Sequence, residues 1–152
     1  MSLDIRIVPL EELASAPNLG ALLAEYADEA GVAGLPHPKP HMASYDALGK
    51  SGHLTTICAF VGGVIIGFIL VLVNVMPHYS VPVATLESFF VAKAQRATGA
   101  GLQLLFKAED VAQYKGAAGV FIAAAVGGEL DRILSHKQSY RMSHHAYFRS
   151  FI

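Results

Sequence analysis

Residues 85–107 read TLESFFVAKAQRATGAGLQLLFK, and this stretch decides the fold of the chain. The apolar run 83–91, which leads into this stretch, predicts a strand. The turn from Arg96 to Gly101 follows it, and an amphipathic helix begins at the end of the turn. The first N–H groups of a helix have no intrahelical acceptor and can bind an anion. Gly99 and Gly101 lack a Cβ, so the backbone can adopt a positive φ and approach a ligand closely. With Arg96 in first position, the turn predicts a pyrophosphate site.

Two well-known nucleotide loops do not fit this turn. A dinucleotide-binding loop needs a third glycine where this chain has Leu104. A P-loop needs Lys-Ser/Thr after its last glycine, where this chain has Leu102-Gln103. A tight strand-to-helix turn without any ligand is the remaining alternative.

The pattern Gln/Arg-x-x-Gly-x-Gly/Ala, found from Arg96 to Gly101 after Val91, resembles the pyrophosphate loop of the GNAT superfamily. These proteins are acyl-CoA-dependent N-acyltransferases. The order of the predicted elements is similar over almost the whole chain, which implies a single domain, 1–152, that uses acetyl-CoA. The implied fold is α+β (mixed α/β): a central mixed, mostly antiparallel sheet of six to seven strands, flanked by about four helices, with two strands splayed around acyl-CoA.

The resemblance also implies which residues bind the coenzyme. In the family the loop surrounds the pyrophosphate, the strand before it offers backbone groups to pantetheine, and the opposite strand faces the thioester. The implied coenzyme-binding residues are Phe89, Phe90, Val91, Arg96, Ala97, Thr98, Gly99, Ala100, Gly101, Leu102 and Ala124.

Glu87 is the candidate general base. It lies in the strand that leads into the loop, and strict alternation places it on the face of Phe89 and Val91. A carboxylate there needs a partner or a role. In several family members a glutamate on this strand draws a proton from the acceptor amine. The alternative is a carboxylate paired with a nearby cation or hydrogen-bonded to backbone.

The general acid is less well defined. Family members often have an asparagine where this chain has Ala124 to Val126. Matching the family's tyrosine position places Ser135 there, as a weak candidate acid, and Tyr140 is a second weak candidate. Tyr147 or water are further sources of the proton.

The resemblance implies an N-acetyltransferase that acts on a primary amine of a small molecule or peptide by direct transfer in a ternary complex. A non-catalytic acyl-CoA-binding module is the alternative, because the asparagine and tyrosine are missing. Cys58, the only cysteine, lies in an apolar run and is predicted to be a core residue. A lone cysteine also indicates a reducing compartment, and we expect the protein in the cytoplasm.

The composition of the chain indicates which kinds of partner to expect. A net charge of −1 argues against nucleic acid and anionic membranes as partners. His37, His41, His53 and His78 have no cysteine or carboxylate that completes a zinc site, so no metal is expected. A mean hydropathy of +0.44 favours a homodimer that covers apolar surface, with the strand 64–75 as one candidate contact.

The uncharged run 57–76 raises the alternative of a membrane span. Gly62-Gly63 lies between two runs rich in Val and Ile, 54–61 and 64–75, and this pattern indicates a β-hairpin instead. The remaining predictions are strands at 4–9, 83–91, 119–126 and 146–152, and helices at 10–30, 41–50 and 128–137, in addition to the helix after the loop.

Overall fold

The computed structural model describes residues 1–152. In chain order its elements are β1 (Leu3–Val8), α1 (Leu10–Ala14), α2 (Leu19–Ala30), α3 (Met42–Lys50), β2 (Leu54–Val61), β3 (Val64–Met76), β4 (Val81–Val91), a 3-10 helix (Lys93–Thr98), α4 (Ala100–Tyr114), β5 (Val120–Ile122) and α5 (Glu129–Ser135).

The five strands form one sheet in the order β1-β2-β3-β4-β5. The first four strands are antiparallel to their neighbours, whereas β5 runs parallel to β4 after the crossover through α4. The mixed, mostly antiparallel architecture predicted from the sequence is therefore confirmed, with five strands in place of six to seven.

The predicted hairpin is confirmed, and the long uncharged run 57–76 lies in its two strands and the turn between them. β2 and β3 pair on either side of Gly62-Gly63, whose φ angles are 58° and 78°. Two consecutive positive φ values are what a tight two-residue hairpin turn requires, and glycine adopts them without strain. None of the helices is long and apolar enough to cross a membrane.

Each face of the sheet carries its own core. On one face lies the α4-side core, in which Ile57, Ile69 and Val71 pack against Leu104 and Leu105 of α4. The other face, the α2-side core, includes Cys58, Phe60, Phe68 and Phe90 packed against Leu22 of α2. β2 and β3 are covered on both sides, which explains why their sequences are apolar almost throughout.

The structure differs from the sequence-based prediction in three elements. The helix predicted over 10–30 is two helices, because Pro17 has no N–H and disfavours a helical residue before it. The strand predicted over 119–126 is short, since only Val120–Ile122 pairs with β4. The final strand at 146–152 is wrong: the chain after α5 has no regular element, and Ser150 Oγ donates to the Gly34 carbonyl at 2.8 Å instead.

Candidate active site

β4 and β5 separate at one end of the sheet. They pair only from Ala84–Val120 to Leu86–Ile122, and because they are parallel, their carboxyl ends point the same way. β5 ends at Ile122, whereas β4 continues to Val91. The β4 backbone beyond Leu86 therefore faces a gap on the β5 side, where its N–H and C=O groups have no strand partner.

A β-bulge shapes β4 at this gap. Glu87 pairs with Leu70 and Phe90 with Phe68, so β4 uses three steps where β3 uses two. Ser88 takes up the extra residue with φ of 54°, a left-handed conformation uncommon for serine. Opposite the bulge, a Cβ on Gly67 would lie 2.8 Å from the Phe90 carbonyl oxygen, so glycine permits the close approach of the strands.

The bulge moves Glu87 to the other face of the sheet. Phe68 and Phe90 belong to the α2-side core, and the pairing with Leu70 places Glu87 on that same face. Phe89 and Val91 pack on the α4 side. The expectation that Glu87 shares the face of Phe89 and Val91 is wrong, because the alternation is interrupted at Ser88.

Glu87 is half-buried and forms no ion pair. Near it lies the phenol of Tyr26, on α2, whose pKa is raised by burial and further by the charges of Tyr45 and Glu87, whereas the Ser88 hydroxyl acts in the opposite direction. The Tyr26 ring meets Phe68 and Phe90 edge-on, at centroid distances of 6.0 and 5.8 Å. Tyr26 is not among the site residues singled out from the sequence, because its place on the apolar face of α2 indicates a core side chain.

The 3-10 helix (Lys93–Thr98) overlaps the first half of the predicted turn and is followed by Gly99, whose φ is 82°. Thr98 Oγ1 donates to the Gln95 carbonyl at 2.6 Å and accepts the Ala100 N–H at 3.3 Å. The N–H groups of Gly101 and Leu102, in the first turn of α4, have no intrahelical acceptor. A Cβ on Gly101 would make only ordinary contacts, so the packing of the chain itself does not require glycine there.

Arg96 is placed at the loop, but carboxylates surround it. Its Nη2 donates to both Glu29 carboxylate oxygens at 2.7 and 2.9 Å, and its Nη1 donates to Glu129 Oε2 at 3.1 Å. Its Nε donates to the Val91 carbonyl at 3.0 Å. The hydrogen bond that Arg96 donates to the Glu29 carboxylate is the main cause that raises the Arg96 pKa. The guanidinium thus links the end of β4 to α2 and α5.

A second contact ties the loop to α2. The backbone N–H of Lys93 donates to Glu25 Oε2 at 3.1 Å, and Lys93 Nζ lies 3.8 Å from Glu29 Oε1. Glu25 and Glu29 are one helical turn apart, so both face the loop. Sequence analysis did not single them out, since the partners lie more than sixty residues away along the chain.

The two candidate acids are engaged elsewhere. Ser135 Oγ donates to the Arg132 carbonyl at 2.9 Å at the exposed end of α5. Tyr140 packs against the α4-side core and its hydroxyl donates to Glu109 Oε1 at 3.2 Å. Burial raises the Tyr140 pKa to about 12. The structure does not bring these hydroxyl groups to the sheet face of Glu87.

Cys58 is fully buried in the α2-side core, as predicted, and burial raises its thiol pKa to about 12. A thiol that is protonated at neutral pH and shielded from solvent is a poor nucleophile.

The chain has no group of three or more histidine, cysteine or acidic side chains that is suited to a metal ion. Ala124 is half-buried, two residues beyond the end of β5.

A model described as the acetyltransferase (GNAT) family matches residues 19–130. No curated protein gives a significant match to the chain.

Several solved structures share the fold. A ribosomal-protein-alanine N-acetyltransferase from Brucella melitensis biovar Abortus 2308 is 19% identical, with a TM-score of 0.72 and 99% of each chain covered. An aminoglycoside acetyltransferase from an uncultured soil metagenomic sample, in complex with sisomicin, is 17% identical, with a TM-score of 0.74 over 99% of this chain and 97% of that one. A glucosamine-6-phosphate N-acetyltransferase from Arabidopsis thaliana is 13% identical, with a TM-score of 0.69 over 98% and 100%.

Proposed function

Because the chain belongs to the GNAT family of acetyltransferases, we propose that it transfers an acetyl group from acetyl-CoA to a primary amine of a small molecule or peptide. The observation that carries this proposal is the gap between β4 and β5, which opens beside the start of α4. A free strand edge and a helix N-terminus next to each other suit a long ligand with an amide-containing arm and a pyrophosphate.

The coenzyme fits this arrangement along the end of β4. The backbone of Phe89, Phe90 and Val91 would bind pantetheine as an added strand would, because this edge has no β5 partner. The N–H groups from Gly99 to Leu102 would bind the pyrophosphate, with Ala97, Thr98 and Ala100 as the remaining loop contacts. The thioester then lies between the Ser88 bulge and Ala124.

The chemistry requires a neutral amine and a path for two protons. The amine nitrogen attacks the thioester carbonyl carbon, the C–N bond forms and the nitrogen loses a proton to a base, the C–S bond breaks, and the thiolate takes up a proton. Glu87 is the proposed base, because its carboxylate is half-buried near the bulge and has no cation partner. Direct transfer in a ternary complex accords with the buried, protonated Cys58.

Tyr26 is an additional candidate for the proton donor, since its phenol lies near Glu87 and Ser88 and, like any phenol, is protonated at neutral pH. Ser135 and Tyr140 stay weaker candidates. Each would have to leave its present acceptor, the Arg132 carbonyl or the Glu109 carboxylate, to reach a thiolate.

A non-catalytic acyl-CoA-binding module is the second candidate function. It is favoured by the apolar side chains at Ala124 to Val126 and by the local hydrogen bonds of Ser135 and Tyr140. Thiol release from acetyl-CoA separates the two, measured with a peptide that starts with alanine, an aminoglycoside and glucosamine 6-phosphate as acceptors. An enzyme releases CoA only with an acceptor present. A binding module shows no turnover but is stabilised by CoA, by about 2.7 kcal/mol at a hundredfold excess over Kd.

We also propose that the protein is a cytoplasmic homodimer. The single free thiol supports a reducing compartment. β3 is paired on both sides, so it offers no edge to another copy, but Val75, Tyr79 and Val81 at its far end are exposed and apolar. Size-exclusion chromatography with light scattering tests the dimer, and a mass of one chain, 16.2 kDa, would contradict it.

A further inference from the structure

One ion pair crosses the end of the proposed coenzyme groove. Arg96 follows β4, and Glu129 is the first residue of the helix that follows β5. β4 and β5 are the two strands that separate, so their following segments form the two sides of the groove. The contact of 3.1 Å between Arg96 Nη1 and Glu129 Oε2 joins these sides.

We propose that the Arg96–Glu129 ion pair is a latch that the coenzyme pyrophosphate displaces, and that Glu129 thereby sets the affinity for the coenzyme. This inference rests on the proposed function. Arg96 keeps its contacts with Glu29 and Val91 and exchanges Glu129 for a phosphate oxygen. No bond is made or broken other than hydrogen bonds.

The geometry selects Glu129 as the carboxylate that leaves. Glu29 holds Arg96 through both oxygens, and its side chain is 35% exposed. Glu129 makes one longer contact and is 53% exposed. A bidentate, less exposed pair is the more persistent of the two.

Charge gives the reason for the exchange. Two carboxylates contact one guanidinium, and Lys93 Nζ also lies 3.8 Å from Glu29, so Glu129 is the carboxylate of this cluster that only Arg96 neutralises, beside the loop that receives an anion. A phosphate oxygen is a stronger acceptor for arginine than an exposed carboxylate that is free to return to water.

The start of α5 holds Glu129 in place for this contact. The Gly127 N–H donates to Asp131 Oδ2 at 2.8 Å, and the Gly128 N–H donates to the Ala125 carbonyl at 2.9 Å. Asp131 therefore provides a matched control. Asp131→Asn removes one negative charge from the same helix and keeps an acceptor oxygen for Gly127, but leaves the latch intact.

The experiment is a calorimetric titration of the full chain with CoA at about 50 mM and about 500 mM salt. Glu129→Gln is expected to lower Kd about two- to fivefold at low salt, which corresponds to the loss of one exposed ion pair, and less at high salt. Asp131→Asn should give a smaller change. Equal effects of the two substitutions would show a general charge effect and overturn the latch, as would unchanged or weaker binding by Glu129→Gln.

A double-mutant cycle with Arg96→Gln measures whether the effect of Glu129→Gln on the Kd for CoA depends on Arg96, which a general charge effect would not. If Glu129 acts through Arg96, the gain from Glu129→Gln disappears in the Arg96→Gln background. If the gain persists there, the latch is wrong. A wild-type chain that does not bind CoA would contradict the proposed function itself, whereas CoA binding without this coupling contradicts only the latch.

Discussion

At the residue scale, the proposed chemistry depends on Glu87, a half-buried carboxylate beside a left-handed serine. Glu87→Gln keeps the shape of the side chain and removes the basic oxygen, so kcat should fall by about a hundredfold. The Kd for CoA should stay nearly the same, because the loop contacts lie at the other end of the groove. Steady-state kinetics and a CoA titration test this, with the remote Glu12→Gln as control. An unchanged kcat would exclude Glu87 as the base.

Tyr26 gives a second prediction at this scale. Tyr26→Phe keeps the edge-on ring contacts with Phe68 and Phe90 and removes only the hydroxyl, so folding should be preserved. If the phenol donates the proton to the thiolate, kcat falls at least about tenfold with little change in KM. Ser135→Ala and Tyr140→Phe are the comparison variants. A loss of kcat in one of these, with Tyr26→Phe unaffected, would assign the donor to that residue instead.

At the element scale, the hairpin and α4 could be predicted because their signals are local. Gly62-Gly63 between two Val- and Ile-rich runs specifies a tight turn, and the apolar spacing of Leu104, Leu105 and Ala108 specifies the buried face of α4. The 3-10 helix and α4 follow β4 where the turn was predicted.

The features that sequence analysis missed depend on contacts between distant residues. The Ser88 bulge has no glycine to mark it, so alternation placed Glu87 on the wrong face. The final strand predicted over 146–152 is absent, and aromatic residues fall there at both alternating positions, so the segment has no distinct buried face. The pairing of Glu29 with Arg96 spans 67 positions, which local patterns do not encode.

Gly99 allows a test of the loop as an element. A Cβ there would have no atom within 4 Å, so Gly99→Ala should act only through its φ of 82°. We expect a loss of about 1 kcal/mol in the free energy of unfolding and weaker CoA binding, because α4 would start with a strained residue. Gly20→Ala in α2 is the control, as it also meets open space without a positive φ and should stabilise the chain. Urea denaturation compares them, and equal effects would contradict the role of φ.

At the scale of the whole molecule, the sheet works as a partition between two cores. α4 covers one face and presents its N-terminus to the groove, while α2 covers the other and brings Tyr26 to Glu87. The carboxylates of α2 also reach the loop. The family fold could be predicted from one loop and the order of elements. That α2 contacts both the loop and the region of the proposed base could not be predicted, because these contacts join residues far apart in the sequence.

The buried Cys58 thiol and the Tyr140 phenol, one in each core, predict that the free energy of unfolding falls at alkaline pH. The folded chain holds the Cys58 proton up to a pKa of about 12, whereas the unfolded chain releases it near the ordinary value of 9.0. Above pH 9 the unfolded state therefore binds fewer protons, and the free energy of unfolding falls towards pH 12, by at most about 1.4 kcal/mol per pH unit from Cys58. Tyr140 adds to this above pH 10, since its pKa is also raised. Urea denaturation at about pH 8 and about pH 10.5 measures the slope. Cys58→Ala should be less stable at the lower pH but have a shallower slope, and a wild-type stability that is equal at both values would contradict the prediction.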